Sequence, residues 1–172
     1  MIQYEKVTGD FDLTGKNAIV VGGAGGIGEA TARMYAKKGA NVAIVDCKDN
    51  CPEVAEAISK EFSVKTVGVK CDVTQQESVD AMLAKVVETF GEVNILAAMP
   101  GFVDLYRATD IEISTIEKHI AINAVGVFRV CQGVANQMIK QGSCAQLFRK
   151  STGTRRMRSP ARRGGAENFS SC

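Results

Sequence analysis

The 172-residue sequence predicts an α/β fold built on a parallel sheet, and three observations support this prediction. Short β-branched runs alternate with stretches in which apolar residues recur at helical spacing. A glycine cluster, GGAGGIG at 22–28, joins the first such run to the first such stretch. The composition, 45% hydrophobic and 23% charged, is that of an ordinary globular domain. Strands that alternate with helices imply right-handed βαβ units and therefore a parallel sheet.

Four strands are expected, and a doubly wound sheet would arrange them in the spatial order 3-2-1-4. They are AIVV (18–21), VAIVD (42–46), VKTVGVKCD (64–72) and VNILAA (93–98). The first helix is expected to bury a stripe made of Ile27, Ala30, Met34 and Tyr35. A long helix is expected over 112–140, with a bend near Gly126 and an end at Gly142.

The composition changes abruptly near Cys144, and we place a domain boundary there. Residues 1–144 carry a net charge of −4, whereas residues 145–172, called the C-terminal segment below, carry seven basic residues and one acid. This segment contains no Ile or Val, and AQLFRK (145–150) is a poor strand candidate. The sequence therefore predicts an incomplete sheet in domain 1–144, followed by a basic, irregular and disordered tail.

Membrane and metal functions are not indicated. No stretch reaches the ~18 apolar residues that would predict a membrane span. The N-terminal residues lack the features of a signal peptide, which favours a cytoplasmic location. The six cysteines fit neither a disulfide framework nor a zinc site, so we expect reduced thiols and no metal.

The strongest functional signal is the glycine cluster together with an acid at the end of the second strand. Gly22 suits a tight turn, Gly26 lets a pyrophosphate approach the backbone, and Gly28 allows close helix–strand packing. The N-terminus of the following helix offers N–H groups to an anion. Asp46 lies 18 residues after Gly28, where a carboxylate binds ribose hydroxyls and repels a 2′-phosphate. This pattern predicts a Rossmann-like site for NAD. The competing interpretation is a surface turn and a capping aspartate.

GGAGGIG, Asp46, CDVT (71–74), GEVNIL (91–96) and Asn123 occur in an order that resembles the short-chain dehydrogenase/reductase family, over about residues 12–143. The resemblance implies NAD(H)-dependent chemistry on a secondary alcohol or ketone, with a polyol or sugar as a candidate small-molecule substrate. It also implies a homo-oligomer formed through the long helix 112–140. Asp72 and Val73 would hold the adenine ring, and Asn123 would organise an active-site water as a supporting residue. The implied cofactor-binding set is Gly22, Gly26, Ile27, Gly28, Asp46, Asp72, Val73, Ala98, Gly101 and Asn123. Structural roles remain open for Asp72, as a residue preceding a helix, and for Asn123, as a polar residue at a bend.

The sequence departs from the family pattern at three places. Val21 stands where the family has Thr, and AMPG (98–101) stands where it has N-N-A-G. The family's catalytic Tyr-x-x-x-Lys pair is missing, because none of Tyr4, Tyr35 and Tyr106 has Lys four residues later. Ser143, Ser151 and Ser159 have no partner that would make them catalytic. We therefore expect a chain truncated before its catalytic residues.

The C-terminal segment admits three explanations: a module that binds nucleic acid, a solvated disordered segment, or a sequence that replaces the catalytic half. The third fits the abrupt boundary best and is compatible with the second, whereas sparse aromatic residues argue against base stacking. For the whole chain, three functions remain open. They are a short-chain oxidoreductase, a non-catalytic nucleotide-binding or interaction protein, and a nucleic-acid binder that uses the basic segment.

Overall fold

The computed structural model describes residues 11–142 in full and the backbone of residues 146–149. Five parallel strands form one sheet in the order β3-β2-β1-β4-β5, and helices pack on both faces. The elements are β1 (Asn17–Val21), α1 (Gly26–Lys37), β2 (Asn41–Asp46), α2 (Cys51–Phe62), β3 (Thr66–Lys70), α3 (Gln76–Phe90), β4 (Ile95–Ala98), α4 (Ile113–Ile120), α5 (Val127–Lys140) and β5 (Gln146–Arg149).

The predicted α/β class and the order of the first four strands are confirmed. The prediction that residues 145–150 supply no strand is wrong, because β5 pairs with β4 in parallel, from Ile95↔Gln146 to Ala98↔Arg149. A free strand edge offers unpaired N–H and C=O groups, and it can recruit a segment whose own propensity is weak. Among the described strands, β4 is therefore interior. The expected disorder of residues 150–172 lies outside the described residues.

The core consists of two apolar clusters, one on each face of the sheet. Ile19 and Leu96 point to one face, where α3 and α5 pack. Val20 and Ile44 point to the other face, where α1 and α2 pack. Because side chains alternate across a strand, a strand that is buried on both faces is apolar at every position. This accounts for the continuous apolar runs in β1 and β2.

The buried stripe of α1 differs from the expected one. Its buried residues are Gly28, Ala32 and Ala36, whereas Ile27 and Met34 are 65% and 54% exposed. Both sets have helical spacing, but the face that carries the small side chains is the buried one. Small residues let α1 approach β1 and the glycine cluster closely, and this requirement outweighs the gain from burying Ile27 and Met34.

The long helix predicted over 112–140 consists of α4 and α5, joined by a π-helical segment at Ala121–Gly126. The bend was expected near Gly126, and the helical hydrogen-bond pattern changes over this segment. The side chains of Val130, Val134 and Met138 on α5 are fully buried against the sheet. Some other apolar side chains of the long helix are exposed, and these are Ile113, Ile120, Val125, Phe128 and Ile139.

Within residues 11–142 and 146–149, no helix is long and apolar enough to cross a membrane. The described residues also contain no group of three or more His, Cys, Asp or Glu side chains that could hold a metal ion. The described cysteines, Cys47, Cys51, Cys71 and Cys131, are free thiols. Cys144 and Cys172 lie outside the described residues.

Candidate functional site

The carboxyl ends of the parallel strands bring four loops to one edge of the sheet. These loops follow β1, β2, β3 and β4, and they contain Gly22, Asp72, Val73 and Gly101 of the predicted nucleotide site. The other residues of that site adjoin the loops: Asp46 and Ala98 end β2 and β4, Gly26, Ile27 and Gly28 begin α1, and Asn123 lies in the helical segment Ala121–Gly126. In open α/β sheets, ligands bind outside the carboxyl ends of the strands at the point where the strand order reverses. Here that point lies between β1 and β4, beside the glycine cluster.

The loop that follows β1 is fixed to both neighbouring strands. The N–H groups of Gly22 and Gly23 donate to the carbonyl oxygen of Val45, at 2.8 and 2.9 Å. Gly22 has φ +80°, and a Cβ at this position would lie 2.6 Å from the carbonyl oxygen of Met99. Any other residue would therefore be strained and would collide with the backbone that follows β4.

Gly28 allows the first turn of α1 to contact this loop directly. A Cβ on Gly28 would lie 1.8 Å from the carbonyl oxygen of Gly22, which is far inside contact distance. Both of the clashing groups belong to the backbone, so a rotamer change could not relieve the overlap. The close approach of Gly28 to the Gly22 carbonyl group leaves no room for a side chain, which is the basis of the packing role predicted for Gly28.

The N-terminus of α1 is open to solvent and has no side-chain cap among the described residues. Gly26 has φ +54°, and a Cβ there would have no atom within 4 Å. Ile27 is also largely exposed at this end of the helix. The first N–H groups of a helix have no intrahelical partner, and they carry a partial positive charge. This arrangement leaves room and hydrogen-bond donors for an anion.

Asp46 ends β2 and is half-buried beside the glycine cluster. Its Oδ2 accepts a hydrogen bond from Ala24 N–H at 3.1 Å, and its Oδ1 accepts one from Lys48 N–H at 3.4 Å. These bonds hold the carboxylate against the loop that would carry a diphosphate. The Cys47 thiol also donates weakly to Oδ1, at 3.5 Å. A carboxylate has about four acceptor positions, so one ribose hydroxyl can bind at the free position and a second can displace the thiol.

Asp72 and Val73 lie in the loop that follows β3. Asp72 Oδ1 accepts hydrogen bonds from Thr74 N–H at 2.9 Å and from the Thr74 hydroxyl at 2.7 Å. The hydroxyl bond is the main cause that lowers the pKa of the Asp72 carboxyl. Asp72 therefore also has the structural role that was the alternative for it, because it holds the turn that precedes a helix. That helix, α3, begins four residues later, at Gln76.

Val73 is anchored from below by the long helix. Its side chain is buried, and its carbonyl oxygen accepts a hydrogen bond from Arg129 Nη1 at 2.6 Å. A Cβ on Gly126 would lie 2.6 Å from Val73 Cγ2, so the end of the π-helical segment packs directly on this residue. The adenine-side loop and the long helix are therefore linked.

Asn123 connects the π-helical segment to the loop that follows β4. Its Oδ1 accepts from Phe102 N–H and its Nδ2 donates to the Phe102 carbonyl oxygen, both at 2.9 Å. The side-chain amide is thus paired with the backbone N–H and C=O of a single residue, and Gly101 lies beside it, with a Cβ position 3.9 Å from Asn123 Oδ1. The role of Asn123 in organising a water molecule stays a prediction.

The Phe102 ring is itself enclosed by α4. The ring of His119 meets it edge-on at 5.0 Å, and Lys118 Nζ lies 4.3 Å from its centroid. His119 Nε2 is buried and has no hydrogen-bond partner among the described residues. Phe102 thus joins the loop at 99–112 to the long helix.

The opposite end of this loop is attached to the sheet. Ala98 is buried, and it pairs with Val21 in the parallel register. Met99 N–H donates to the Val21 carbonyl oxygen at 3.0 Å. A backbone hydrogen bond therefore joins β1 to the residue after β4. It is made by Val21, the residue that stands where the family has a threonine.

The tyrosines do not resemble an activated acid–base group. Tyr35 packs against the apolar cluster on the α1 face, and burial raises the pKa of its phenol. Tyr106 lies in the loop after β4 and is more than half exposed. Tyr4 and the three serines that we considered lie outside the described residues.

Sequence reasoning missed four residues that build the site. Gly23 and Ala24 were within the quoted cluster, but their hydrogen bonds to Val45 and Asp46 depend on how the loop folds back. Phe102 pairs its own backbone with the distant side chain of Asn123, and Arg129 donates to the backbone carbonyl oxygen of the distant Val73. The only available signal for them was their nearness in sequence to Gly101 and Gly126.

The residues present fit a dinucleotide. The cradle at Gly22 and Gly28 leaves backbone N–H groups accessible at an open helix N-terminus, and Asp46 supplies a fixed carboxylate next to it. An anion and a diol can bind side by side in such a site.

Comparison with known proteins places this geometry in a family. A model described as short chain dehydrogenase matches residues 16–156, so the prediction that the resemblance stops near residue 143 is wrong. The NAD-dependent glycerol dehydrogenase of Listeria innocua is 32% identical over 133 residues, which cover 77% of this chain and 51% of that protein. The D-threitol dehydrogenase of Mycolicibacterium smegmatis is 37% identical over 150 residues, which cover 84% and 56%.

Solved structures agree with these relatives. A NAD⁺-bound xylitol dehydrogenase is similar with a TM-score of 0.75 and 31% identity, over 80% of this chain and 53% of that chain. The chain spans about half the length of the curated relatives it matches. Since the family model covers most of the chain, and the glycine cluster and Asp46 take the arrangement described above, the chain belongs to the short-chain dehydrogenase/reductase family.

Proposed function

We propose that this chain binds NAD(H) and represents the cofactor-binding part of a short-chain oxidoreductase that acts on a secondary alcohol or ketone. The relatives whose names mention glycerol, threitol and xylitol support a polyol or a sugar as the substrate class. The same proposal includes a cytoplasmic location and a homo-oligomer formed through the long helix. The exposed apolar side chains of that helix, such as Phe128, support the proposed homo-oligomer.

The observation that carries the proposal is the placement of Asp46. Ala24 N–H holds its carboxylate at 3.1 Å, next to the open N-terminus of α1. In this position the carboxylate can accept hydrogen bonds from both hydroxyl groups of an adenosine ribose. A phosphate at the 2′ position would meet a negative charge, so NAD(H) should bind more tightly than NADP(H).

Each part of the site has a separate binding role. N–H groups of the first turn of α1 would bind the diphosphate, and Asp46 would bind the ribose. Asp72 and Val73 would border the adenine ring, since no partner for Val73 N–H is present among the described residues. The bound nicotinamide ring supplies the chemistry of accepting or giving a hydride.

Turnover needs an acid–base group that this sequence does not provide in the family's pattern. A phenol with a pKa of about 10 is a poor base at neutral pH unless a nearby cation lowers that pKa. No tyrosine of the chain has a lysine four residues later. We therefore propose that the chain binds the dinucleotide without steady-state turnover. A non-catalytic nucleotide-binding or interaction protein is the second candidate, and the same missing pair supports it.

Calorimetric titration of the full chain with NAD⁺ and NADP⁺ tests the binding proposal. Asp46→Asn should weaken NAD⁺ binding by about threefold to tenfold, because a charged acceptor is replaced by a neutral one. The same substitution should also reduce the difference between the affinities for NAD⁺ and NADP⁺. Asp49→Asn is the matched control, because Asp49 is exposed, and its ion pair with Lys70 does not involve the glycine cluster. Tighter binding of NADP⁺ than NAD⁺ by the unmodified chain would refute the assignment of Asp46 to the ribose.

A second assay separates binding from catalysis. Pure protein mixed with NAD⁺ and glycerol, threitol or xylitol should show no NADH formation above background. Turnover that disappears in Tyr35→Phe or Tyr106→Phe would instead identify an acid–base group that we have assigned to structure.

A further inference from the structure

Arg129 joins the long helix to the loop that follows β3. Its Nη1 donates to the Val73 carbonyl oxygen at 2.6 Å. Gly126 lies three residues earlier on the same helical face and packs on Val73, with a Cβ position 2.6 Å from Val73 Cγ2. The long helix therefore contacts both the side chain and the carbonyl group of Val73.

The positive charge of Arg129 is unusual for this part of the helix. Between His119 and Ile139, Arg129 is the only residue of the types Asp, Glu, Lys and Arg. It is half-buried, and it makes no ion pair within the described part of the chain. Partial burial of a cation costs free energy, and a neutral donor would hold a carbonyl oxygen at a lower cost. The charge therefore indicates a role beyond one hydrogen bond to a neutral acceptor.

The carboxylate of Asp72 is the group on which this charge acts. The pKa of the Asp72 carboxyl is lowered chiefly by the hydrogen bonds from Thr74, and the nearby Arg129 guanidinium lowers that pKa further. Arg129 thus acts on both residues that the family resemblance places at the adenine ring. It acts on Val73 through a hydrogen bond and on Asp72 through its charge.

The backbone of this loop is fixed in a way that leaves one N–H group free. Gln75 N–H donates to the Asp72 carbonyl oxygen at 3.1 Å. The peptide group that follows Val73 is held at both ends. Arg129 binds its carbonyl oxygen, and its N–H, which belongs to Thr74, donates to Asp72 Oδ1 at 2.9 Å. Val73 N–H and Asp72 Oδ2 have no hydrogen-bond partner among the described residues, so one donor and one acceptor remain available on neighbouring residues.

We propose that Arg129 is a positioning residue for adenine recognition, an inference that rests on the proposed function. Arg129 acts through its neighbours: it fixes the Val73 carbonyl group, and its charge favours the ionised form of Asp72. The free N–H and the free carboxylate oxygen then lie side by side. The 6-amino group of adenine is a donor and the adjacent ring nitrogen is an acceptor, so adenine complements this pair.

Two dinucleotides that differ only in the purine test this assignment. NAD⁺ carries the 6-amino group, whereas nicotinamide hypoxanthine dinucleotide has a carbonyl oxygen there and a hydrogen on the adjacent ring nitrogen. Donor and acceptor are thus exchanged, and the riboses and the diphosphate are unchanged. The ratio of the two dissociation constants, measured by calorimetry, therefore reports recognition of adenine and is independent of the contribution of Asp46.

The variants Arg129→Ala, Arg129→Gln and Arg129→Lys are compared with the unmodified chain. Gln141→Ala is the matched control, because Gln141 joins the end of the same helix to the backbone of Val93, which precedes β4 at the opposite edge of the sheet. Thermal unfolding of every variant measures the structural cost of each substitution separately from binding.

We expect the unmodified chain to bind NAD⁺ about tenfold more tightly than the hypoxanthine analogue, since two hydrogen bonds become mismatched. Arg129→Ala and Arg129→Gln should weaken NAD⁺ binding by about threefold to tenfold and bring the ratio close to one. Arg129→Lys should keep most of the ratio, because a single bond to a carbonyl oxygen needs one charged donor and not a planar fork. Gln141→Ala should lower Tm and leave the ratio unchanged.

An equal loss of affinity for both dinucleotides in Arg129→Ala would overturn the inference, because Arg129 would then be a structural tether only. If Arg129→Ala does not fold, Arg129→Gln decides the question by the same ratio. An unmodified chain that binds NAD⁺ and the analogue equally well would refute this inference and leave the proposed function standing. An unmodified chain that binds neither dinucleotide would refute the proposed function and this inference with it.

Discussion

Adding one methyl group at Gly28 tests the most crowded contact of the candidate site. The Cβ of Gly28→Ala would lie 1.8 Å from the Gly22 carbonyl oxygen and 2.6 Å from its carbonyl carbon. An ordinary contact between such atoms is 3.4 Å or more, so α1 would have to move away by more than 1 Å. The movement would also loosen the packing of Ala32 and Ala36, which are buried on the same face.

Two opposing terms decide the size of the effect on stability. Overpacking of a well-packed core costs about 1–3 kcal/mol, and the upper end applies here because backbone atoms collide. Alanine is a better helix former than glycine by about 1 kcal/mol in a helix interior, but Gly28 lies in the first turn, where this gain is smaller. We therefore expect a net destabilisation of about 1–3 kcal/mol. For a chain of this length that lowers Tm by roughly 3–10 °C.

Thermal unfolding followed by circular dichroism, together with calorimetric titration of NAD⁺, measures both consequences. Gly91→Ala is the control, because Gly91 has φ +83° but a Cβ there has no atom within 4 Å. This control should lose about 1 kcal/mol through backbone strain and still bind NAD⁺. Gly28→Ala should lose NAD⁺ binding even at temperatures at which it is folded. If Gly28→Ala melts and binds like the unmodified chain, α1 does not approach the glycine cluster as described.

Two further predictions concern the loops beside the site. Thr74→Val removes the hydroxyl bond that chiefly lowers the pKa of Asp72, so that pKa should rise toward its ordinary value of 3.8, as measured by NMR titration of the carboxyl group. A carboxyl group whose pKa is lowered by folding stabilises the protein at pH values above its unfolded pKa, and this stabilisation is lost as the pH falls through the folded pKa. Thr74→Val should therefore lose less stability than the unmodified chain when the pH is lowered below about 4. An unchanged pKa would contradict the assignment to Thr74. Asn123→Ala breaks both hydrogen bonds to Phe102 and should destabilise the chain by about 1 kcal/mol in urea unfolding, whereas Asn136→Ala, at an exposed position on the same long helix, should have little effect.

The parts of the fold that were predictable depend on local pattern. β1 and β2 are buried on both faces, and this condition produces continuous β-branched runs that are visible in the sequence. The order of the first four strands follows from the handedness of βαβ crossovers, which is nearly invariant. The glycine cluster was readable for a similar reason, since Gly22 and Gly28 occupy positions where a side chain has no space.

The parts that were not predictable depend on contacts between distant segments. β5 forms because β4 offers a free edge, and neither this edge nor the pairing appears in the composition of residues 145–150. The family match also continues to residue 156. The strand pairing and the family match therefore both extend past Cys144, where the composition changes. The buried face of α1 was misassigned because a count of apolar residues favours Ile27 and Met34 over the small residues that close packing selects.

The distribution of the site residues is the basis for our proposal that binding and turnover are separable in this chain. Gly22, Gly28 and Asp46 are fixed by backbone hydrogen bonds and packing among β1, α1 and β2. The loop after β4 is secured independently, because Met99 is bonded to Val21 and Phe102 to Asn123. These contacts lie between residues 21 and 123, and the bond from Arg129 to the Val73 carbonyl oxygen lies just beyond them. Since no Tyr-x-x-x-Lys pair occurs in the sequence, the same geometry carries no activated phenol. Affinity for NAD⁺ and formation of NADH are therefore independent measurements on this protein, and the first does not require the second.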